Sequence, residues 1–330
     1  MPKALITDLA GLTLGDEERA FLRDSDPLGL ILFARNINNP DQVCNLIVEF
    51  RSVVGRDDAP VMIDQEGGRV ARLREPHWWG GVAAERLGTA GPEAAGLAGR
   101  LLAHDMRAMG IDVVCAPCLD LRIKGMHAVI GDRAFGSNHE TVAVCGRSYC
   151  DGLQAGGVAP MIKHMPGHGR GSVDPHDVLP TTDASLETLR DHDTRPFHAL
   201  RDMPWGMTAH VIYAAIDPDR PATQSPRVIG DVIRGEIGFD GVLVSDAIDM
   251  EALSGSHAER ARASLAAGCD VVMHCNQPLD SRRTVADAVP ELDGDALRRV
   301  RSAAARRSQP EPGFDPDAAL ARLDALLAAS

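Results

Sequence analysis

The chain has 330 residues and carries 34 Lys and Arg against 47 Asp and Glu, a formal net charge of −13, which argues against nucleic acid or an anionic membrane surface as a general partner. Apolar residues make up 44% and charged residues 25%, the balance of a soluble globular protein long enough for one large α/β barrel or two ordinary domains. No apolar stretch approaches the roughly 18 residues of a spanning helix, and Met1-Pro2-Lys3-Ala4-Leu5-Ile6 is followed at once by Asp8, so the expectation is a cytoplasmic protein with neither membrane span nor signal peptide.

In chain order, eight short apolar runs read as strands: 4–9, 29–33, 60–63, 113–119, 158–162, 206–210, 241–244 and 270–274. Amphipathic helices fall between them at 41–54, 92–109, 140–155, 186–201, 226–237 and 258–267, each with apolar residues at helical spacing. Strands that are apolar throughout are buried on both faces, as in parallel sheets. Eight strand-helix units predict a (β/α)₈ barrel of the α/β class. A doubly wound open sheet is disfavoured because no Gly-x-Gly-x-x-Gly follows the first strand. One domain is expected over 1–330, with a Pro- and acid-rich linker and a packing helix at 318–327 making up residues 309–330. The seven cysteines, at 44, 115, 118, 145, 150, 269 and 275, sit mostly in apolar runs and read as reduced core thiols. Cys115-Ala116-Pro117-Cys118 has redox or zinc spacing, but no second pair completes a metal set.

Barrel sites gather at the C-terminal ends of the strands, and the polar residues of this chain fall there. Strand three runs into Asp64-Gln65-Glu66-Gly67-Gly68-Arg69-Val70-Ala71-Arg72, strand four into Asp120, strand five into Lys163-His164. Strand six ends near His210, strand seven in Ser245-Asp246, strand eight in His274-Cys275-Asn276. One charged residue closing one strand serves equally well as a helix cap or a solvated turn; six at one mouth make a site.

The densest segment is 163–176, with Lys163, three histidines and an aspartate in 14 residues, followed by aperiodic chain as far as Thr182. A loop of that length in a compact domain is functional or disordered, and its glycines and prolines favour a shaped lid. Asp174 and His176 stand two apart, where extended backbone puts both side chains on one face as an orienting pair for a general acid/base; the bland alternative for His176 is a surface loop histidine. Asp246, rigidly placed at the end of an apolar strand, suits a nucleophile. Glycoside hydrolysis ordinarily uses two carboxylates, and here a histidine would replace one. Lys163, His164, Arg72, Asp64 and Arg133 would bind hydroxyls through directional charged hydrogen bonds, although Arg133 could instead pair with Asp132 or Asp120. Aromatic residues are only 4%, which favours a small polar pocket for one sugar ring and an exo-acting enzyme over a polysaccharide cleft.

Four blocks appear in order along nearly the whole chain: Ile63-Asp64-Gln65-Glu66-Gly67-Gly68-Arg69-Val70, Gly131-Asp132-Arg133-Ala134-Phe135-Gly136, Lys163-His164-Met165-Pro166-Gly167-His168-Gly169 with Asp174-x-His176, and Val244-Ser245-Asp246. Together they resemble a bacterial β-N-acetylhexosaminidase of glycoside hydrolase family 3, the single-domain type that works in peptidoglycan recycling. The resemblance implies a (β/α)₈ barrel without metal or organic cofactor, Asp246 as nucleophile, His176 as acid/base and Asp174 as its partner. It also implies that Asp64, Arg72, Arg133, Lys163 and His164 bind N-acetylglucosamine, so the partner is a small carbohydrate or muropeptide substrate. Separately from the resemblance, a monomer is expected. Pro175 and Ala247 depart from the family pattern, standing where many relatives have serine and aspartate.

Three other readings remain at this point. A phosphorylase could use the same residues, since a histidine acid/base has no permanent negative charge to repel phosphate. A metal-dependent hydrolase would need His164, His168 and His176 as ligands, at a spacing in a Gly/Pro-rich loop that no single helix face holds. A non-enzymatic sugar-binding protein would have no use for an acid/base pair.

Overall fold

The computed structural model describes residues 1–126, 128–171, 173–174, 178–307 and 309–330. Eight parallel strands close into a barrel in chain order: β1 (Lys3–Thr7), β2 (Pro27–Leu32), β3 (Val61–Ile63), β4 (Val113–Val114), β5 (Ala159–Met165), β6 (Trp205–Thr208), β7 (Val242–Ala247) and β8 (Val271–Met273), with β8 pairing back onto β1. The expected (β/α)₈ architecture is the one observed.

Alternation along the strands sorts their apolar residues into two cores. Ala4, Ile6, Ile31, Met62, Met161, Met207, Val242, Val244, Val271 and Met273 fill the barrel interior. Their neighbours Leu5, Leu30, Leu32, Val61, Ile63, Ile162, Leu243 and Val272 face the surrounding helices. Each fully buried Leu, Ile, Val or Met of this kind contributes roughly 1.5–3 kcal/mol of burial free energy. Continuing the interior row by two residues along six of the strands reaches Asp8, Phe33, Asp64, Lys163, Asp246 and Cys275, the same parity that builds the core.

The helices form where their ends are signalled. In Pro40–Val54 the Asn39 side chain accepts the Gln42 N–H, Pro40 starts the first turn, and Gly55 leaves it at φ 66°, the preferred chemistry at each end. Helices Pro92–Met109 and His139–Ala155 cross so closely that a Cβ on Gly99 would stand 2.3 Å from the Tyr149 carbonyl oxygen, and one on Gly152 would stand 2.1 Å from that of Gly96. The last helix, Pro316–Ala328, lies against Ala84–Ala90 and Pro92–Met109 on the outside of the barrel.

Four expected elements differ. The helix at 226–237 is π-helical over Val228–Glu236. The helix at 186–201 is broken into Leu186–Thr188, a π-helical stretch Leu189–Asp193, and Arg195–Ala199, because Pro196 has no N–H to continue a regular ladder and starts a new segment. The fourth strand is two residues long instead of seven, since Pro117 cannot donate to a sheet; only Cys118 bridges on to Lys163. The fifth strand runs three residues further than 162, so Lys163 and His164 lie within it. Its register against β6 shifts between Ile162 and Met165, and such irregularities re-aim side chains. Helices Asp16–Ser25, Leu279–Ala288 and Gly294–Ala305 add to those read from periodicity. Among the described residues no helix is long and apolar enough to cross a membrane.

Candidate active site

A polar pocket of about 240 Å³ lies at the C-terminal mouth of the barrel, and its wall includes Asp64, Arg72, Arg133, Lys163, His164, Asp174 and Asp246. The structure therefore brings together seven of the eight residues singled out from sequence. The eighth, His176, lies outside the described residues, as does Pro175.

Lys163 is almost wholly buried and holds two carboxylates. Its Nζ donates to Asp64 Oδ1 at 2.9 Å and stands 2.7 Å from Glu66 Oε1. Burial disfavours the ammonium, but Asp64 and Glu66 outweigh it and raise the lysine above its ordinary value. Asp64 also takes a contact from Arg72 Nη2 at 3.3 Å; burial would raise its carboxyl, and Lys163 with Arg72 keeps it low instead. Arg133 reaches neither Asp132 nor Asp120, the partners weighed for it. Its Nε and Nη2 each donate to a different oxygen of Glu66 at 2.8 Å, a bidentate pair that fixes the guanidinium plane. Against the cost of burial, Arg133 and Lys163 hold Glu66 far below the usual carboxylate range. Tyr149, from helix His139–Ala155, donates at 3.4 Å to the carbonyls of Gln65 and Glu66 and so steadies this corner from beneath.

His164 is set by Asp120, whose Oδ2 lies 2.6 Å from Nδ1. Asp120 also accepts the His168 N–H at 2.5 Å. Burial works against its charge, yet His164 and His168 bring it down to about 2, so it is a fixed anion that orients the imidazole and leaves Nε2 facing Arg133 Nη2 at 3.4 Å. The His168 ring is 3% exposed and neither ring nitrogen has a hydrogen-bond partner among the described residues; burial and neighbouring His164 lower it to about 4, so it is neutral at pH 7.

Asp246 ends β7 on the opposite side of the pocket. Burial would raise its carboxyl, but the imidazoles of His210 and His164 and the Ala247 N–H, which donates to Oδ1 at 2.8 Å, hold it low. Its own N–H donates to Thr208 Oγ1 at 3.3 Å. Thr208 shares a 2.8 Å hydrogen bond with Thr223, Thr223 lies 2.7 Å from His210 Nδ1, and His210 Nε2 lies 3.0 Å from the Ala247 carbonyl oxygen. The result is an ionised carboxylate on a braced strand end.

Sequence places Glu66, Asp120 and His210 at the mouth of the barrel without giving any of them a role. All three follow apolar strands, so position was the available signal, while their partners depend on pairings across strands that no local pattern contains. Cys118, Asp120 and His164 place metal-ligating atoms within 4.8 Å of one another, already joined by hydrogen bonds: the Cys118 thiol donates to Asp120 at 3.2 Å. The seven cysteines are free, and burial pushes the Cys115 and Cys118 thiols up, as inert core thiols require.

Residues 6–307 match the family model for the glycosyl hydrolase family 3 N terminal domain. The chain is 42% identical over 278 residues to a beta-hexosaminidase of Methylococcus capsulatus, covering 82% of each, and 40% identical over 282 residues to one of Pseudomonas aeruginosa, covering 84% of this chain and 83% of that one. Among solved structures it superposes on NagZ from Neisseria gonorrhoeae in complex with N-trifluoroacetyl-D-glucosamine with a TM-score of 0.89 and 35% identity, over 99% of this chain and 98% of that one.

Proposed function

Since the chain belongs to glycoside hydrolase family 3 and is a glycosidase of the β-hexosaminidase kind, we propose that it is a retaining, exo-acting β-N-acetylglucosaminidase that removes terminal N-acetylglucosamine from peptidoglycan-derived fragments. The observation that carries this reading is the division of the pocket: an ionised, braced Asp246 faces a wall of paired charges contributed by β3, β5 and the loop after β4. The charged wall takes the ring hydroxyls, and a volume of about 240 Å³ lies below the ~300–1,000 Å³ of drug-sized pockets, which suits one ring. The gonococcal structure binds a 2-acylamino glucose, in support of the same kind of ring here.

In this reading Asp246 attacks the anomeric carbon while His176, oriented by Asp174, gives its proton to the departing glycosidic oxygen. The covalent glycosyl-enzyme is then opened by water, whose proton returns to His176. The relatives are named for hydrolysis of hexosaminides, which favours water over phosphate as acceptor. The chain acts as one catalytic unit over 1–330, with 309–330 its linker and packing helix, and works in the cytoplasm on muropeptide fragments as a monomer without metal or organic cofactor.

The test is hydrolysis of 4-nitrophenyl N-acetyl-β-D-glucosaminide followed by proton NMR. The β-anomer should appear first. First formation of the α-anomer would overturn the covalent mechanism.

A further inference from the structure

The strand end that carries Asp246 is held by a circuit of hydrogen bonds whose protons can be placed one by one. The Asp246 N–H donates to Thr208 Oγ1 at 3.3 Å, Thr208 Oγ1 lies 2.8 Å from Thr223 Oγ1, Thr223 Oγ1 lies 2.7 Å from His210 Nδ1, and His210 Nε2 lies 3.0 Å from the Ala247 carbonyl oxygen. Thr208, His210 and Thr223 are each 0% exposed, so bulk water reaches none of them.

A carbonyl oxygen only accepts, so Nε2 carries the imidazole proton. Burial, with His164, lowers the His210 ring more than Asp246, the Ala247 contact and Asp249 raise it, so at neutral pH it holds a single proton and Nδ1 is an acceptor. Two lone pairs 2.7 Å apart would repel, and the Thr223 hydroxyl therefore points its proton at Nδ1. The Ala209 carbonyl oxygen, 3.1 Å from Thr223 Oγ1, would take that proton only if Nδ1 were itself protonated. The Thr208 hydroxyl, which accepts from Asp246, gives its own proton to Thr223. Every donor runs the same way, from the Asp246 N–H round to the Ala247 carbonyl, and aligned donors strengthen one another.

Thr223 is fixed before it acts. It stands in the short helical turn Ala222–Gln224, where the Ala222 N–H donates to the Val211 carbonyl at 2.8 Å and the Ser225 hydroxyl donates to Asp217 Oδ2 at 2.6 Å. It does not line the sugar pocket. Its hydroxyl is the one group that meets both arms of the circuit, the arm through Thr208 to the Asp246 N–H and the arm through His210 to the Ala247 carbonyl.

We propose that Thr223 is a positioning residue for the nucleophile: its hydroxyl sets the tautomer of His210 and, through the two arms, holds the peptide groups on either side of Asp246 and Ala247. The proposal rests on the reading of Asp246 as nucleophile. Asp246 Oδ1 accepts the Ala247 N–H at 2.8 Å, so with both flanking peptides held, Oδ2, which has no hydrogen-bond partner among the described residues, is left as the oxygen that attacks. Without the Thr223 hydroxyl the imidazole is free to take the other tautomer, which sets a bare Nε2 against the Ala247 carbonyl oxygen and pushes the strand end away. A misplacement of about 1 Å at a reacting atom costs on the order of 10²-fold in rate.

The test reads tautomer and rate separately. In the unaltered enzyme with its histidine rings labelled with heavy nitrogen, proton–nitrogen correlation spectra should show His210, identified by its absence from His210→Gln, as the Nε2–H tautomer. Thr223→Val keeps the shape of the side chain and removes the hydroxyl. In single-turnover measurements on 4-nitrophenyl N-acetyl-β-D-glucosaminide it should slow glycosylation at saturation by roughly 10- to 10²-fold and leave the half-saturating concentration within about twofold, because the groups that bind the ring stand on β3, β5 and the loop after β4. Thr223→Ser restores the hydroxyl and should stay close to the unaltered rate. An Nδ1–H tautomer in the unaltered enzyme overturns the role, as does a Thr223→Ser enzyme as slow as Thr223→Val, or a half-saturating concentration that rises by as much as the rate falls. The reading of Asp246 fails separately. Turnover retained by Asp246→Ala overturns the nucleophile and this role with it, whereas an inactive Asp246→Ala beside a fully active Thr223→Val overturns the positioning role alone.

Discussion

Glu66 takes both arms of the Arg133 guanidinium at 2.8 Å and, on the oxygen that receives Nη2, also faces Lys163 Nζ at 2.7 Å. One carboxylate thus sets two cations of the pocket wall, and Lys163 passes the constraint on to Asp64. The Glu66 and Arg133 side chains are 5% and 13% exposed, so solvent screens the cluster weakly and its geometry is held by its own charges.

Glu66→Gln should therefore act on both stability and sugar affinity. Removing one partner of a buried ion pair strands the other charge, at a cost of about 3 kcal/mol, and Arg133 loses the second arm of its fork. Urea denaturation should show the loss, and KM for the aryl glycoside should rise by a larger factor than kcat falls. An unchanged midpoint together with an unchanged KM would remove Glu66 from the organisation of the site.

Asp246→Ala should abolish turnover with the fold intact. The side chain closes a strand at the mouth and belongs to neither apolar core, and loss of a nucleophile costs at least about 10³-fold in kcat. Circular dichroism and the urea midpoint should stay near those of the unaltered protein. Retention of more than a few per cent of kcat would disqualify Asp246 as nucleophile.

The buried histidines give stability a pH slope with a definite sign. Burial, then His164, lowers His168 to about 4, and burial, then His257, lowers His274 to about 3, against about 6.5 in an unfolded chain. As pH falls from about 6.5 to 4 the unfolded state binds protons that the native state does not, so these groups withdraw stability on acidification. Asp8 and Asp112, raised by burial, act in the opposite direction, so the histidine effect is read as a difference. The stability of the unaltered protein relative to His168→Asn should shrink between pH 7 and pH 4.5 in parallel urea titrations. A difference that stays constant or grows would show that the His168 ring is not held neutral.

The fold was legible because the barrel repeats one physical device eight times: a strand apolar on both faces, then an amphipathic helix. The mouth residues were legible for the same reason, since Asp64 follows Met62 and Asp246 follows Val244 at the parity of the interior core. What stayed out of reach was non-local. Arg133 had acidic neighbours at 132 and 120, but its partner is 67 residues away at Glu66. Asp120 reads as an ordinary strand-end acid until β4 and β5 pair and set it against His164. The break near Pro196 was visible as a proline, and the strong apolar periodicity of 186–201 masked it.

His176 can be tested through the leaving group, because an acid matters most when the aglycone leaves poorly. A nitrophenolate departs without a proton, whereas a sugar alkoxide needs one from the imidazolium. His176→Ala should lose roughly 10²- to 10⁴-fold on a disaccharide, the range of general acid catalysis, and less in the glycosylation step on an activated aryl glycoside. Asp174→Asn should follow the same pattern at smaller amplitude, since it leaves the imidazole in place and removes only its orienting charge. Deglycosylation also needs His176 as base, so azide, a nucleophile that needs no deprotonation, should restore part of the aryl-glycoside turnover and yield the β-glycosyl azide. Rapid-quench measurement of the first step on both substrates, with product analysis in azide, separates the two roles. Equal glycosylation losses on both substrates and no azide adduct would make His176 a binding residue and place the acid elsewhere.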